Sequence, residues 1–133
     1  MKTKGPDGTG EAILVTGGAG YIGSHVVRDL GEKGFYPVVL DNLSSGKPGA
    51  VLAGELVRGD IADSELVASL LRRHAIRNVL HFAASIQVEE SVRLPLKYYE
   101  NNSFNCLRLL KACLENGVER FIFSSSAAVY GMP

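Results

Sequence analysis

The feature that most constrains the fold is an apolar run that breaks into a glycine cluster and continues as a helical pattern. The apolar run covers residues 12–16, the glycine cluster residues 17–23, and the helical pattern residues 21–33. A second apolar run, residues 37–40, ends at Asp41. Glycines allow backbone N–H groups to approach a ligand closely, and a helix N-terminus adds unpaired donors and a partial positive charge. With a carboxylate placed for ribose hydroxyls, this order of parts predicts a dinucleotide-binding corner.

The glycines of this corner fit two spacings. The segment from Gly18 to Gly23 matches G-x-G-x-x-G, while Gly17, Gly20 and Gly23 match G-x-x-G-x-x-G. Because turns use glycine freely, the alternative is a strand–turn–helix corner that holds no ligand. The preceding strand, the following helix and the acid at the expected distance favour the dinucleotide site over that alternative.

Asp41 also bears on which dinucleotide is bound. A carboxylate at this position repels the 2′-phosphate of NADP, and neither Asn42 nor Leu43 supplies an arginine to bind it. The sequence therefore favours NAD as the cofactor.

Composition limits the function classes that remain. The 133 residues suffice for one domain, and 14 Lys and Arg balance 14 Asp and Glu. A net charge of zero gives no reason to expect nucleic acid or an acidic membrane surface as a partner. No apolar run reaches the roughly 18 residues of a membrane span. Residues 1–11 begin polar and glycine-rich without the apolar core of a signal peptide, so we predict a disordered lead-in followed by one domain at 12–133.

The two cysteines, Cys106 and Cys113, lie on one face of a predicted helix about two turns apart. This separation is too long for a disulfide between them, and metal sites use closer spacing and more ligands. Both are interpreted as reduced core residues of a cytoplasmic protein.

The whole chain alternates between strands and helices. Short apolar runs predict strands at 12–16, 36–41, 54–58, 77–82 and 119–125, all buried on both faces, and helices are predicted at 21–33, 64–73 and 96–115. The segment 42–53 is predicted to be loop with at most one helical turn. This order predicts an α/β fold, a Rossmann-type doubly wound parallel sheet with strand order 3-2-1-4-5, incomplete on its C-terminal side.

Local signals refine the helices. Asp63 is a predicted N-cap for the second helix, and Gly117 is placed where a helix ends in the left-handed conformation. In the third helix a core-facing stripe is predicted at steps of three and four residues, formed by Tyr99, Ser103, Cys106, Leu110 and Cys113.

The predicted topology places a ligand across the carboxyl ends of the strands. Asp60 follows the third strand, where it either accepts from an adenine amino group or simply caps the strand end. Ala83 and Ala84 are small enough for a cofactor to lie over them, or they serve packing alone. His81 lies inside an apolar strand and is predicted to be a packed histidine rather than a catalytic base.

Several further segments carry a resemblance to a known family. The chain resembles the extended short-chain dehydrogenase/reductases, and most closely the UDP-glucose 4-epimerases. The segments that carry the resemblance extend over nearly the whole chain and are Thr16-Gly17-Gly18-Ala19-Gly20-Tyr21-Ile22-Gly23-Ser24-His25, Asp41-Asn42-Leu43-Ser44, Gly59-Asp60-Ile61, His81-Phe82-Ala83-Ala84, Glu90-Ser91-Val92, Pro95-Leu96-Lys97-Tyr98-Tyr99-Glu100-Asn101-Asn102 and Phe121-Ile122-Phe123-Ser124-Ser125-Ser126-Ala127-Ala128-Val129-Tyr130-Gly131.

The resemblance implies roles for individual residues. Ser126 matches the family's active-site serine, which hydrogen-bonds the 4-hydroxyl of the sugar and also adjoins the cofactor. The other implied cofactor contacts follow the order of the chain. They are Gly17, Gly20, Tyr21, Ile22 and Gly23 at the pyrophosphate; Asp41, Asn42, Leu43, Ser44, Ser45 and Gly46 at the adenosine ribose; Asp60 and Ile61 at the adenine; Phe82, Ala83, Ala84, Ser85 and Ile86 at the inner part; and Asn101 from the long helix.

Two departures from the family pattern fall within these segments. Some epimerases carry a lysine where this chain has Ile86, and the stretch 102–106 lacks the small glycine that the family often has. The first removes a charged contact at the cofactor, and the second alters the packing of the helix on the sheet.

The resemblance also implies a part that this sequence does not contain. The family's chemistry uses a Tyr-x-x-x-Lys pair, in which the tyrosinate removes the sugar hydroxyl proton and the lysine lowers the tyrosine pKa. None of the five tyrosines has a lysine four residues later. We therefore expect an NAD-binding N-terminal part of a nucleotide-sugar 4-epimerase, inactive alone, whose full-length parent binds a UDP-sugar and forms a homodimer through the helix at 96–115.

Two alternatives stay open beside this interpretation. One is a non-catalytic nucleotide-binding fragment, and the other is part of another NAD-dependent nucleotide-sugar epimerase or dehydratase. Related dehydratases place acidic residues just after the serine or threonine, where this chain has Ala127 and Ala128. Simple 4-epimerisation is therefore favoured.

Overall fold

A computed structural model of the chain describes residues 10–43, 47–82 and 104–123. Strands and helices alternate along these residues, as predicted. The elements are β1 (Ala12–Thr16), α1 (Tyr21–Glu32), β2 (Tyr36–Asp41), a 3-10 turn (Pro48–Ala50), β3 (Glu55–Arg58), α2 (Ser64–Arg73), β4 (Asn78–His81), α3 (Asn105–Glu115) and β5 (Arg120–Phe123).

The five strands form one parallel sheet in the order β3-β2-β1-β4-β5, which confirms the predicted topology. The central strand β1 has Thr16 in register with Leu40 of β2 on one side and with His81 of β4 on the other. The strand order reverses beside β1, and ligands of open α/β sheets bind at the carboxyl ends of the strands at such a point.

Side chains of the central strands alternate between two packed layers, one on each face of the sheet. On one face Leu14 and Leu40 pack with α2 and α3 residues that include Leu70 and Leu109. On the other face Ile13, Val15 and Val39 surround Val27 of α1. Helices therefore cover both faces of the sheet, as the doubly wound prediction requires.

The outer strands differ from the prediction that all strands are buried on both faces. The residues of β1 are all buried, whereas β3 is only half-buried and three of the four residues of β5 are exposed. A strand at the edge of a sheet has a neighbour on one side only, and β5 leaves Ile122 and Phe123 exposed there.

The buried face of α3 is centred one residue away from the predicted stripe. Leu109, Ala112 and Cys113 are buried, while Cys106 and Leu110 are half-buried. At 3.6 residues per turn, either Leu109 or Leu110 can lie between the two cysteines, so spacing alone does not choose between them. The rest of the predicted helix and stripe, residues 96–103, lies outside the described residues.

Smaller predictions agree with the structure. The Asp63 side chain accepts a hydrogen bond from the Leu66 N–H as the N-cap of α2, and Gly117 has a φ of 79° after α3. Helix α1 ends at Glu32, one residue earlier than predicted, because Lys33 leaves helical geometry as the C-cap. The loop after β2 contains one 3-10 turn, in agreement with the prediction of at most one helical turn there. Of the predicted lead-in, residues 1–11, the structure describes only Gly10 and Glu11.

The cysteines are free thiols, one buried and one half-buried, as expected for core residues. Burial raises the pKa of Cys113 to about 11, so this thiol is protonated and unreactive at neutral pH. Within residues 10–43, 47–82 and 104–123, no cluster of His, Cys, Asp or Glu is placed to hold a metal ion. No helix in that part of the chain has the length and apolar character needed to cross a membrane.

Candidate functional site

Three strand ends meet at the carboxyl edge of the sheet. Backbone hydrogen bonds connect them just beyond the strands: the Gly17 N–H donates to the Leu40 carbonyl over 2.9 Å, and the Phe82 N–H donates to the Thr16 carbonyl over 2.8 Å. The start of the glycine loop, residues 17–20, is therefore fixed to β2 on one side and to β4 on the other.

The glycine loop makes a turn that side chains would obstruct. Gly17 has a φ of 72°, a conformation that L side chains rarely adopt. A Cβ on Gly23 would lie 2.3 Å from the Gly17 carbonyl oxygen and 2.9 Å from the Gly18 Cα. Gly17 and Gly23, which both belong to the G-x-x-G-x-x-G spacing, are thus the glycines whose lack of a side chain the turn requires.

Gly18 has a different role. A Cβ there would lie 2.7 Å from Val39 Cγ1 and 3.0 Å from Val27 Cγ2. The absence of a side chain therefore lets α1 and β2 pack closely beneath the loop rather than opening space for a ligand.

Helix α1 begins without a side-chain cap. Its N-cap is Gly20, which makes no side-chain hydrogen bond, and its first turn contains no acidic residue. The first N–H groups of a helix have no intrahelical acceptor, so those of Tyr21, Ile22 and Gly23 point out of the helix start. Tyr21 and Ile22 are 83% and 58% exposed at this end. The arrangement fits a negatively charged group such as a pyrophosphate.

Asp41 lies beside this helix start with its carboxylate turned toward the backbone. The residue is 8% exposed. Its Oδ2 accepts from the Ala19 N–H over 3.0 Å, and its Oδ1 accepts from the Leu43 N–H over 2.8 Å. An ionised carboxylate has about four acceptor positions, so two such bonds leave capacity for ribose hydroxyls.

The loop after β2 closes against the glycine loop at the same point. The Lys47 N–H donates to the Ala19 carbonyl over 3.2 Å, so the peptide groups on both sides of Ala19 are held, one by the last residue of β2 and the other by the loop that follows it. Leu43, whose N–H donates to the Asp41 carboxylate, has a φ of 62°. A leucine in this left-handed region is uncommon, and such strain occurs where the surroundings hold the backbone in place.

The Asp60 side chain makes a hydrogen bond within the turn that follows β3. Its Oδ1 accepts from the Ala62 N–H over 2.9 Å, and its side chain is exposed. The preceding Gly59 N–H donates to the Asp41 carbonyl, which places Asp60 next to the end of β2. Ile61 is only 5% exposed and packs in the core, so it presents little surface to a ligand.

His81 is buried, as predicted for a packed histidine. It is 1% exposed, and its Nδ1 is 2.6 Å from the Thr16 hydroxyl oxygen. The ring lies between two aromatic residues of β5, with centroid distances of 5.8 Å to Phe121 and 5.5 Å to Phe123. Burial lowers the pKa of His81 to about 4, so the imidazole is neutral at physiological pH.

The structure brings together one group of the predicted cofactor residues at the carboxyl edge. The members of this group are Gly17, Gly20, Tyr21, Ile22, Gly23, Asp41, Asn42, Leu43, Asp60, Ile61 and Phe82. The remaining predicted residues lie outside the described part of the chain. They are Ser44, Ser45, Gly46, Ala83, Ala84, Ser85, Ile86, Asn101 and Ser126.

Sequence reasoning missed three residues of the site: Thr16, Ala19 and Lys47. Thr16 and His81 are the last residues of adjacent parallel strands in the structure, whereas the fourth strand is predicted to end at residue 82, so the pairing emerges only from the observed register. The backbone bonds of Ala19 and Lys47 depend on how the loop after β2 folds back, and no residue pattern in the sequence signals that.

Comparison with known proteins adds independent information. The chain matches the sequence model of the NAD dependent epimerase/dehydratase family over residues 13–133. It is 52% identical over 122 residues to a UDP-glucose 4-epimerase of Azospirillum brasilense, an alignment that covers 91% of this chain and 35% of that protein.

Two solved structures share the fold. A UDP-glucose 4-epimerase from Brucella ovis in complex with NAD is 48% identical, with a TM-score of 0.86 over 92% of this chain and 38% of that one. A UDP-glucose 4-epimerase from Stenotrophomonas maltophila with bound NAD and formylated UDP-arabinopyranose is 42% identical, with a TM-score of 0.86 over 92% and 39%. The chain thus spans little more than a third of the length of these relatives.

Proposed function

This chain belongs to the NAD dependent epimerase/dehydratase family, and from that membership we propose that it binds NAD as the N-terminal part of a nucleotide-sugar 4-epimerase. The observation that carries the proposal is the start of α1. Its glycine N-cap leaves the first-turn N–H groups without a side-chain acceptor, and Asp41 lies beside them. A dinucleotide supplies both an anion for the helix and hydroxyls for the carboxylate.

The proposed binding mode follows the carboxyl edge of the sheet. The pyrophosphate lies on the N-terminal turn of α1, and the adenosine ribose lies against Asp41 and the residues that follow it through Gly46. The adenine lies near Asp60 and Ile61, and the inner half of the cofactor crosses to the segment from Phe82 to Ile86. Asn101 completes the site from the long helix predicted at 96–115.

Calorimetric titration with NAD and NADP tests the binding mode. We expect NAD to bind, and NADP to bind at least about tenfold more weakly, because the 2′-phosphate would face the Asp41 carboxylate. Asp41→Asn keeps the shape of the side chain and removes its charge. It should therefore lower the affinity for NAD and reduce the difference in affinity between NAD and NADP. If NAD does not bind, the proposal is wrong. If Asp41→Asn leaves both affinities unchanged, the role of Asp41 is wrong.

For the full-length protein we propose interconversion of UDP-sugars at C4. When bound, NAD would supply reversible hydride transfer at C4 of the sugar, the chemistry by which the configuration of that carbon is inverted. The part of this chain in the reaction is to hold the cofactor and to hydrogen-bond the sugar 4-hydroxyl through Ser126. A relative with a bound UDP-sugar derivative supports the substrate class. We also propose a cytoplasmic location, because the two cysteines are free thiols.

Activity assays on UDP-galactose separate the catalytic roles. Ser126→Ala in the full-length protein should abolish most of the turnover while NAD stays bound, and full turnover in that variant would contradict the role of Ser126. The 133-residue chain alone should be inactive, because none of its tyrosines has a lysine four residues later. Turnover by this chain would contradict that expectation.

We also propose that the full-length protein forms a homodimer through α3. Leu107 and Leu114 are 61% and 81% exposed on this helix, and they flank Lys111 at helical spacing. Exposed leucines at i and i+7 form an apolar stripe suited to a partner helix. Leu107→Glu should give a monomer in sedimentation experiments, whereas Glu65→Gln, on the exposed side of α2, should leave the dimer intact. An unchanged dimer in Leu107→Glu would place the interface elsewhere.

A further inference from the structure

A side-chain hydrogen bond joins β1 to β4 at the point where the strand order reverses. The Thr16 hydroxyl oxygen and His81 Nδ1 are 2.6 Å apart, and the two residues are 0% and 1% exposed. They are the last residues of their strands and are in register. The bond is therefore shielded from water and lies directly beneath the proposed cofactor site.

The direction of this bond follows from counting donors and acceptors. If Nδ1–H donated to Thr16, two groups would be buried without a described partner: the hydroxyl hydrogen and the Nε2 lone pair. Nε2 makes no hydrogen bond within the described residues. If the hydroxyl donates to Nδ1, only the Nε2–H is left without one. Each buried unsatisfied polar group costs free energy, so the contacts of the described residues favour a hydroxyl that donates and a His81 proton on Nε2.

The pair connects two segments that belong to different halves of the site. Thr16 immediately precedes the glycine loop, and its carbonyl also accepts from the Phe82 N–H. His81 immediately precedes Phe82, where the segment proposed for the inner half of NAD begins. The side-chain bond and the backbone bond together set how far the loop lies from that segment.

We propose that Thr16 and His81 are positioning residues that hold the two halves of the dinucleotide site at a fixed separation across the strand switch point. The proposal rests on the proposed binding of NAD. Neither residue touches the cofactor in this account. Their hydrogen bond acts through Gly17 on the pyrophosphate side and through Phe82 on the nicotinamide side.

A matched pair of variants at Thr16 tests the proposal in the full-length protein. Thr16→Val keeps the shape of the side chain and removes the hydroxyl, while Thr16→Ser keeps the hydroxyl. The probes are NAD, which spans both halves, and AMP, which reaches only the adenosine half at β1 and β2. We expect Thr16→Val to lower the affinity for NAD about tenfold, because one buried hydrogen bond is lost. The affinity for AMP should not change. Thr16→Ser should restore NAD binding.

The two probes separate positioning from general stability. Equal weakening of NAD and AMP would mean that the bond merely stabilises the fold, and unchanged NAD binding in Thr16→Val would mean that it does not position the site. Either outcome would overturn this inference. The proposed function would still stand in both cases, provided that the unaltered protein binds NAD. If the unaltered protein does not bind NAD, the proposed function fails and this inference fails with it.

A second pair at His81 covers the case in which Thr16→Val does not fold. His81→Asn keeps a polar group near the Nδ1 position and His81→Leu does not, so NAD affinity should fall further in the leucine variant. Nitrogen-15 NMR of the imidazole supplies an independent readout, since an unprotonated Nδ1 and a protonated Nε2 are expected in the unaltered protein. Equal NAD affinities in the two His81 variants would overturn the inference, whereas the opposite tautomer would reverse only the direction assigned to the bond.

Discussion

Helices α1 and α2 begin at the same edge of the same sheet, yet their N-termini are built in opposite ways. Helix α2 has Asp63 as its N-cap, which accepts from the Leu66 N–H over 3.1 Å, and Glu65 lies in its first turn. Helix α1 has Gly20 as its N-cap and no acid in its first turn. The protein therefore satisfies the helix start of α2 with its own carboxylate and gives that of α1 none, which is what the proposed binding of a pyrophosphate there requires.

The largest expected effect comes from blocking the turn that leads into α1. In Gly23→Ala the new Cβ would meet the Gly17 carbonyl oxygen at 2.3 Å, and backbone atoms cannot move aside as a flexible side chain can. We expect NAD to bind about a hundredfold more weakly. Although alanine favours helix, overpacking should still lower the free energy of unfolding by about 2 kcal/mol. Calorimetry and urea unfolding measure the two effects.

Gly49→Ala is the matched control for this substitution. Gly49 lies in the 3-10 turn after β2, and a Cβ there would meet no atom within 4 Å. This variant should therefore bind NAD as the unaltered protein does. If Gly23→Ala also bound NAD normally, the open start of α1 would not be the phosphate site and the contrast with α2 would lose its meaning.

The sequence was sufficient to predict most of this contrast. Strand order, the Asp63 cap and the glycine spacing all follow from local patterns, since periodicity and capping are decided by residues close together in the chain. The choice between the two glycine spacings required the structure, because it depends on which glycine approaches which backbone atom. Gly23 faces the Gly17 carbonyl, whereas Gly18 faces two valines from separate elements.

The details of Asp41 and His81 were less predictable. Asp41 was expected to reach a ribose, but its bonds to Ala19 and Leu43 depend on how two loops meet in three dimensions. The burial of His81 followed from its apolar strand, while its hydroxyl partner lies 65 residues away in sequence. Long-range polar contacts of this kind leave no periodic signal, so only the strand register reveals them.

Acid should destabilise the fold, which limits the pH range in which the two helix starts can be compared. Burial depresses the pKa of His81 in the fold to about 4 from the ordinary value of 6.5, so the unfolded chain takes up the proton first as the pH falls. The stabilisation that neutral His81 provides above pH 6.5 is therefore lost as the pH falls from 6.5 to about 4. We expect the free energy of unfolding to fall by about 2 kcal/mol between about pH 7 and about pH 4.5 from His81.

His81→Asn isolates this contribution. Burial also lowers the pKa of His74, which adds a loss in the same direction. Urea unfolding at the two pH values should therefore give a smaller loss in His81→Asn than in the unaltered protein, but not zero. Identical pH dependence in the two proteins would mean that His81 does not take up a proton on unfolding in this range.

A smaller effect is expected from giving α1 the cap that α2 has. Gly20 has φ −78° and ψ 178°, an extended conformation open to any residue, so an aspartate fits there. Gly20→Asp should stabilise the protein by up to about 1 kcal/mol and weaken NAD about tenfold, because its carboxylate takes the position of the pyrophosphate. Gly20→Asn caps without charge and should weaken NAD less. Undiminished NAD binding in Gly20→Asp would place the phosphates elsewhere.

The smallest effect is expected from removing the cap of α2. Asp63→Ala leaves the Leu66 N–H without its side-chain acceptor, which should lower the free energy of unfolding by about 1 kcal/mol. NAD affinity should not change, because the helix start of α2 is not where the pyrophosphate is proposed to lie. Added phosphate should not restore the lost stability, since the Cβ of alanine and the nearby Glu65 carboxylate disfavour an anion there. A loss of NAD binding in Asp63→Ala would mean that both helix starts serve the ligand, and that the opposite construction of α1 and α2 does not separate binding from stability.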